Sequence, residues 1–153
     1  MRTDQILIFT LDELPYAISL NAVILVIHAI EIRKLPNAPE IINGIINLKG
    51  KIVPVADIRN RFGLVKHEMV IDDQLIITNT GKRDVAILVD KVIGIKEIEP
   101  GQKEKGNENL SFSENFKGVG KFDDGLILIY DLDQFLSLDE EEELEQAMNE
   151  NIR

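Results

Sequence analysis

The side chains best suited to metal or acid–base chemistry are few in this chain, and their spacing is poor. Its two histidines, His28 and His67, have no local ligand spacing of the H-E-x-x-H kind. His28 sits in an apolar segment and is expected to be a satisfied structural imidazole, whereas His67 falls in a polar connection and is expected to be exposed. No metal site and no cofactor is expected. The pairs Asp72-Asp73 and Asp123-Asp124 could suggest acid–base work, but adjacent residues on a strand or turn point apart rather than at one substrate. They read as turn residues. Gly118-Val119-Gly120-Lys121 faintly echoes a phosphate loop, yet Phe122 stands where Ser or Thr is needed and the preceding glycine spacing is absent. No Ser or Thr has a convincing base and orienting group beside it in sequence. The chain is not expected to be an enzyme.

The elements that would position any site are strands. Of 153 residues, 44% are hydrophobic, with Ile, Val and Leu dominant, 5% aromatic and no Trp, so an aliphatic, strand-rich core is expected. Strands are expected over residues 6–11, from Tyr16 after a turn at Asp12-Glu13-Leu14-Pro15, and over 23–32, 45–48, 51–55, 74–79, 84–89, 92–98, 119–122 and 126–131. Gly50 and Gly125 mark two hairpin tips, Asn47–Lys51 and Lys121–Gly125. Asp57 and Asp131 follow the second strand of each hairpin and suit N-caps of short helices over Ile58–Phe62 and Leu132–Phe135.

That punctuation is part of a repeat. Sliding the chain by 74 residues aligns Gly44 with Gly118, Ile45 with Val119, Leu48 with Phe122, Val55 with Ile129 and Asp57 with Asp131. At a shift of 69, Ala17-Ile18 meets Ala86-Ile87, and Val23-Ile24 and Val26 meet Val92-Ile93 and Ile95. Two similar small β units follow. Below ~70 residues a lone core is marginal, so the two are expected to pack together and share stability.

The formal charge of −10 is concentrated at the end of the chain. Seven of the 27 acidic residues and one of the 17 basic ones lie in 139–153, leaving 20 acids against 16 bases before them. This tail could be a surface helix with a thin stripe of Leu138, Leu144, Ala147 and Met148, or a solvated end. A small β-barrel that binds nucleic acid would need a basic stripe and stacking aromatics, and neither is apparent. Cysteine is absent, no apolar run approaches the ~20 residues that cross a bilayer, and the first residues lack a signal-peptide pattern. A cytoplasmic protein is expected. Ala22–Ile30 is apolar on both strand faces apart from His28, so it needs a cover, from the sister unit or from another protein.

Pro36-Asn37-Ala38-Pro39, Gly44-Ile45-Ile46-Asn47-Leu48-Lys49-Gly50, Ile52-Val53-Pro54-Val55-Ala56-Asp57-Ile58-Arg59 and Arg61-Phe62-Gly63 together resemble the CheW-like chemotaxis coupling family. Val89-Asp90-Lys91-Val92 and Gly118-Val119-Gly120-Lys121 extend the resemblance to roughly residues 5–138. It implies an all-β fold of two SH3-like five-stranded barrels packed together, with short helices and a C-terminal acidic helix or tail. On that basis residues 1–138 would form the domain, divided into units of about 15–72 and 73–138, with strand 5–11 joining the second and 139–153 as the tail.

The resemblance further implies a non-enzymatic adaptor between the cytoplasmic tips of methyl-accepting chemoreceptors and the regulatory domain of a CheA-type histidine kinase. A related adaptor of a pilus or developmental chemosensory pathway is the alternative. Carried over position by position, Val23, Leu25, Gly44, Lys49 and Gly50 would contribute to kinase docking, and Ala86, Val92 and Ile95 to a groove for a receptor helix. Two positions depart from the family pattern. Leu25 stands where an acid is frequent and Lys49 where Arg is usual, which removes a carboxylate and a bidentate donor and points either to a divergent signalling array or to a more apolar kinase contact.

Overall fold

The computed structural model describes residues 4–98, 103–104, 116–122, 125–132 and 135–152. Strands β1 (Asp4–Leu11) and β2 (Leu14–Ser19) form a hairpin, followed by β3 (Val23–His28), β4 (Ile42–Leu48), β5 (Lys51–Ala56) and helix α1 (Ile58–Phe62). A second hairpin, β6 (Gln74–Asn79) and β7 (Asp84–Val89), precedes β8 (Lys91–Ile98), the two-residue β9 (Lys103–Glu104), β10 (Phe116–Phe122), β11 (Gly125–Tyr130) and helix α2 (Leu138–Asn151). The first sheet runs β3-β6-β7-β5-β4, and the second runs β8-β1-β2-β11-β10 with β9 added at its edge.

Strand order explains the repeat and corrects the division expected from it. Each repeat gives its hairpin to one sheet and its next three long strands to the other. Hence β2 leaves the unit expected over 15–72, while β6 and β7 leave the unit expected over 73–138. Strand β1 lies in the second sheet, between β8 and β2. The exchange is sealed by one parallel contact per sheet, Val55 beside Ala86 and Ile129 beside Ala17, and these pairs superpose under the shifts of 74 and 69. An antiparallel hairpin closes locally, but a parallel neighbour must arrive from a distant part of the chain.

Alternation within strands sends side chains to three cores. Ile46, Val53, Val55, Leu75, Ile77, Ala86 and Leu88 fill the first barrel. Ile6, Ile8, Ala17, Ile98, Ile127 and Ile129 fill the second. The opposite faces, among them Leu7, Phe9, Ile18, Ile76 and Ile87, meet in a larger central core between the sheets. The buried residues of both barrel interiors are aliphatic, with the partly buried Phe122 packed against the second, but the central core is not. It carries an aromatic row in which Phe9, Tyr16, Phe62, Tyr130 and Phe135 follow one another at centroid distances of 5.0–6.2 Å. Burial holds the Tyr130 hydroxyl well above the usual phenol range.

Helix α1 is capped as expected, with the Asp57 side chain accepting from the Arg59 amide and Gly63 closing the helix at φ 72°. The tip Asp123-Asp124 lies outside the described residues, as do Asp133 and Gln134. The acidic segment is a docked helix. Ser137 and Glu140 form a reciprocal capping box, and Leu144 and Ala147 are buried against the central core. Leu138 is 76% exposed and so leaves the expected stripe. The acids of α2 meet two arginines: Arg61 Nη2 donates to Glu140 Oε1 at 2.6 Å, and Arg83 reaches Glu141 at 3.0 Å and Glu145 at 2.6 Å.

Burial pushes the Glu140 carboxyl upward, but the Ser137 amide and Arg61 outweigh it and hold it below the ordinary value of 4.5. A depressed carboxyl stabilises the folded state above its unfolded value, and that contribution is lost as pH falls through the folded value. The docking of α2 is therefore expected to weaken on acidification below about pH 4.5. Amide hydrogen exchange of residues 144–148 in full-length protein should accelerate there relative to β7. Equal acceleration of both elements would refute this.

Candidate functional site

In paired strands, residues directly opposite each other share a face of the sheet. Val92 lies opposite Phe9, and Ile95 opposite Leu7, so both occupy the central-core face of the second sheet. In the first sheet Val26 lies opposite Ile76 on that same face, and Val23 packs against the same core. Because β3 and β8 are edge strands, this apolar face runs out of the core toward solvent. Val23, Val26 and Val92 are half-buried there, and Ile95 is 54% exposed.

Each edge strand also carries a bulge. Register shifts between Val23 and Leu25, and between Val92 and Gly94, leave Ile24 and Ile93 as the extra residues, 51% and 59% exposed. These two isoleucines occupy matching positions of the repeat. Sequence reasoning missed them because a bulge has no signature in an apolar run. Ile93 lines a small cleft of about 110 Å³ with Pro15, Lys96 and Leu126. Ala22–Ile30 thus receives a partial cover: Val23 and Val26 turn to the central core, Ile27 to the first barrel, and Ile24, Leu25 and Ile30 remain exposed.

The remaining expected site residues fall into three places. Leu25, 38% exposed, lies opposite the barrel-facing Ile77 and so faces away from Val23, Val92 and Ile95. Lys49 (φ 51°) and Gly50 (φ 88°) form the β4–β5 turn, where Asn47 Oδ1 accepts from the Gly50 amide at 2.8 Å. Both are exposed, and their hairpin lies at the sheet edge opposite to β3. Ala86 is fully buried in the first barrel, so its side chain is not offered to any groove. Gly44 is buried as well, with space for no side chain: a Cβ there would sit 2.1 Å from the Arg33 carbonyl oxygen. That approach allows the paired hydrogen bonds between Arg33 and Ile45 that cover part of the β4 edge. Gly44→Ala is expected to cost about 1–3 kcal/mol of stability by forced backbone displacement. Urea denaturation measures it, and an unchanged midpoint would refute it.

The titratable residues gather elsewhere. Arg59 of α1 is buried, donating from Nη1 to Asp12 Oδ1 at 2.6 Å and from Nη2 to Asp90 Oδ1 at 2.5 Å. The Asp12 amide donates to Asp90 Oδ2 at 2.8 Å, which closes the network. Burial opposes the Arg59 charge, yet the hydrogen bonds it donates to its two carboxylate partners outweigh it and keep the guanidinium above its ordinary range. Both histidines depart from expectation: His67 is half-buried with Nε2 3.0 Å from Asp73 Oδ2, and His28 is exposed. His67, Asp73 and Asp90 bring ligand atoms within 4.8 Å of one another. These oxygens are already engaged, however: Asp73 Oδ2 accepts from the Val70 amide and Asp90 Oδ1 from Arg59. The cluster does structural work.

Apolar faces on exchanged barrels, joined by Arg59 with Asp12 and Asp90, define a binding scaffold of the double SH3-like type. Residues 5–140 match the CheW-like domain, and the chain belongs to that family. It is 30% identical over 132 residues to the chemotaxis protein CheW of Thermotoga maritima, covering 86% of this chain and 87% of that one. The CheW of Klebsiella aerogenes is 29% identical over 139 residues, covering 89% and 83%. The crystal structure of the scaffolding protein TtCheW from Thermoanaerobacter tengcongensis superposes with a TM-score of 0.82 at 31% identity, covering 91% of this chain and 96% of that one. No described helix is long and apolar enough to cross a membrane.

Proposed function

We propose that this protein is a chemotaxis coupling adaptor, which joins methyl-accepting chemoreceptors to a CheA-type histidine kinase in the cytoplasm and works by assembly, without catalysis. The observation that carries the reading is the match of residues 5–140 to the CheW-like domain. The uncovered apolar edge of β8 supports it, because an amphipathic receptor helix needs an aliphatic trough in which to lay its apolar face. Val92 and Ile95 form one wall of that trough, with Val23 and Val26 continuing the same central-core face. Ala86 is left out of this trough, because its methyl group lies inside the first barrel. Kinase docking is assigned to the opposite side of β3, at Leu25, and to the Lys49-Gly50 turn. Leu25 offers carbon where a carboxylate would offer charge, so this contact is expected to be apolar and weakly salt-dependent.

Pull-down from native lysate with the protein as bait should recover both a histidine kinase and a methyl-accepting receptor. Recovery of neither would sink the proposal. With purified partners, Ile95→Glu should weaken receptor-fragment binding by about tenfold or more, because a charge is buried in an apolar contact, and should leave kinase binding within about twofold. Leu25→Glu should do the reverse. Equal loss of both partners from either variant would mean that the two surfaces are not separate.

A further inference from the structure

Strand β8 is held least firmly where it forms the wall of the trough. It is an edge strand with β1 as its sheet neighbour, and the bulge at Ile93 interrupts that pairing between Val92 and Gly94. Gly94 adds a position with no side chain to pack. The Val92 amide finds its partner outside the ladder, donating to Gln74 Oε1 at 2.6 Å. Gln74 belongs to β6 in the other sheet, opposite His28 of β3 and Val89 of β7. The bond therefore ties the β8 wall to the sheet that carries the β3 wall. The backbone beside Gln74 is itself fixed. The buried Asp73 accepts from the Val70 amide through Oδ2 and from the Ala29 amide through its carbonyl, each at 2.9 Å.

The repeat supplies a comparison within the molecule. At the shift of 69, Gln74 corresponds to Gln5 and Val92 to Val23, and the strand pairs agree, since Gln74 lies opposite His28 and Gln5 opposite Glu97. The tie is nevertheless made at one end only. Val23 follows a short helical turn, Leu20–Ala22, and its amide donates to the Leu20 carbonyl, while Gln5 is exposed. We propose that Gln74 is a positioning residue of the receptor trough, holding Val92 and, through it, Ile95 in place before the helix arrives. This role rests on the coupling reading above. A wall fixed in advance need not be ordered on binding, so the tie raises affinity for the receptor helix and leaves the kinase surface at Leu25 and Lys49 untouched.

Two measurements on the full chain test this: binding of a purified receptor fragment and of the kinase, and hydrogen exchange of the Val92 amide in the free protein. Gln74→Met removes the acceptor at nearly constant volume. It should speed Val92 exchange and weaken receptor binding about three- to tenfold, the worth of one hydrogen bond, with kinase binding held within about twofold. Gln74→Glu keeps an acceptor oxygen at the same reach and should bring both readouts back to within about twofold of wild type. Gln5→Met makes the same change at the untied position and should alter neither. Unaltered Val92 exchange in Gln74→Met would overturn the tie, and faster exchange with unchanged receptor affinity would overturn the positioning role. Equal losses in Gln74→Met and Gln74→Glu, or in Gln5→Met, would overturn it too, since the acceptor would not be what matters. A wild-type chain that binds no receptor fragment would instead overturn the coupling reading, and this role with it, whatever the Val92 amide does.

Discussion

Phe9→Ala is expected to lower the free energy of unfolding by about 3–5 kcal/mol, the range for emptying a large aromatic site in a packed core. Phe9 is fully buried in the central core, stacks on Tyr16 at a centroid distance of 6.2 Å and lies opposite Val92 across the β1–β8 pair. No collapse of one barrel can refill the hole, because its walls come from both sheets. Against a typical total of about 5–15 kcal/mol, such a loss should shift the denaturation midpoint far. Since each barrel is completed by strands of the other repeat, the variant should still melt in one transition. Hydrogen exchange at Leu75 in the first barrel and Ile127 in the second measures both points. Separate transitions, or a loss below about 1 kcal/mol, would show that the central core does not bind the barrels into one cooperative unit.

Arg59→Met should cost about 2–4 kcal/mol, less than the full penalty for opening a buried ion pair because Asp12 and Asp90 keep some access to water. Their side chains are 50% and 27% exposed, against 5% for Arg59. Loss of the guanidinium leaves two carboxylates facing each other at the point where the β1–β2 tip meets the β7–β8 crossover. The tip is also strained, for Asp12 and Glu13 both take left-handed conformations at φ 52° and 70° without being glycine. Adding Asp12→Asn and Asp90→Asn to Arg59→Met should restore more than half of the loss, since the repulsion goes with the charges. If the triple variant is no better than the single one, packing by the arginine stem, and not its charge, holds the junction.

The deviations between sequence and structure have physical causes that can be named. All ten expected strands were readable because alternation and turn chemistry are local, and β6 and β7 fall on their expected ranges of 74–79 and 84–89. The end of the segment expected over 23–32 was misjudged, because β3 stops at His28 and its neighbour Ala29 instead donates to the Asp73 carbonyl. Ala86 was expected in the groove solely through the family resemblance, position by position. Only the pairing of β7 between β6 and β5 makes it an interior position. Arg59 was visible as part of a family motif, but nothing in the chain order joins it to Asp12 and Asp90, 47 and 31 residues away.

By itself the sequence determined the element types, the twofold repeat with its two shifts, the cap at Asp57 and the resemblance to the CheW-like family, all of which rest on neighbours or on residues at fixed spacing. Tertiary structure alone decided that the hairpins are exchanged between sheets. It also decided which apolar residues remain uncovered, and that Arg59 fills the junction between Asp12 and Asp90. The reason is that both faces of these strands are apolar, so periodicity cannot say which face meets which core; the parallel contacts of β5 with β7 and of β11 with β2 make that choice.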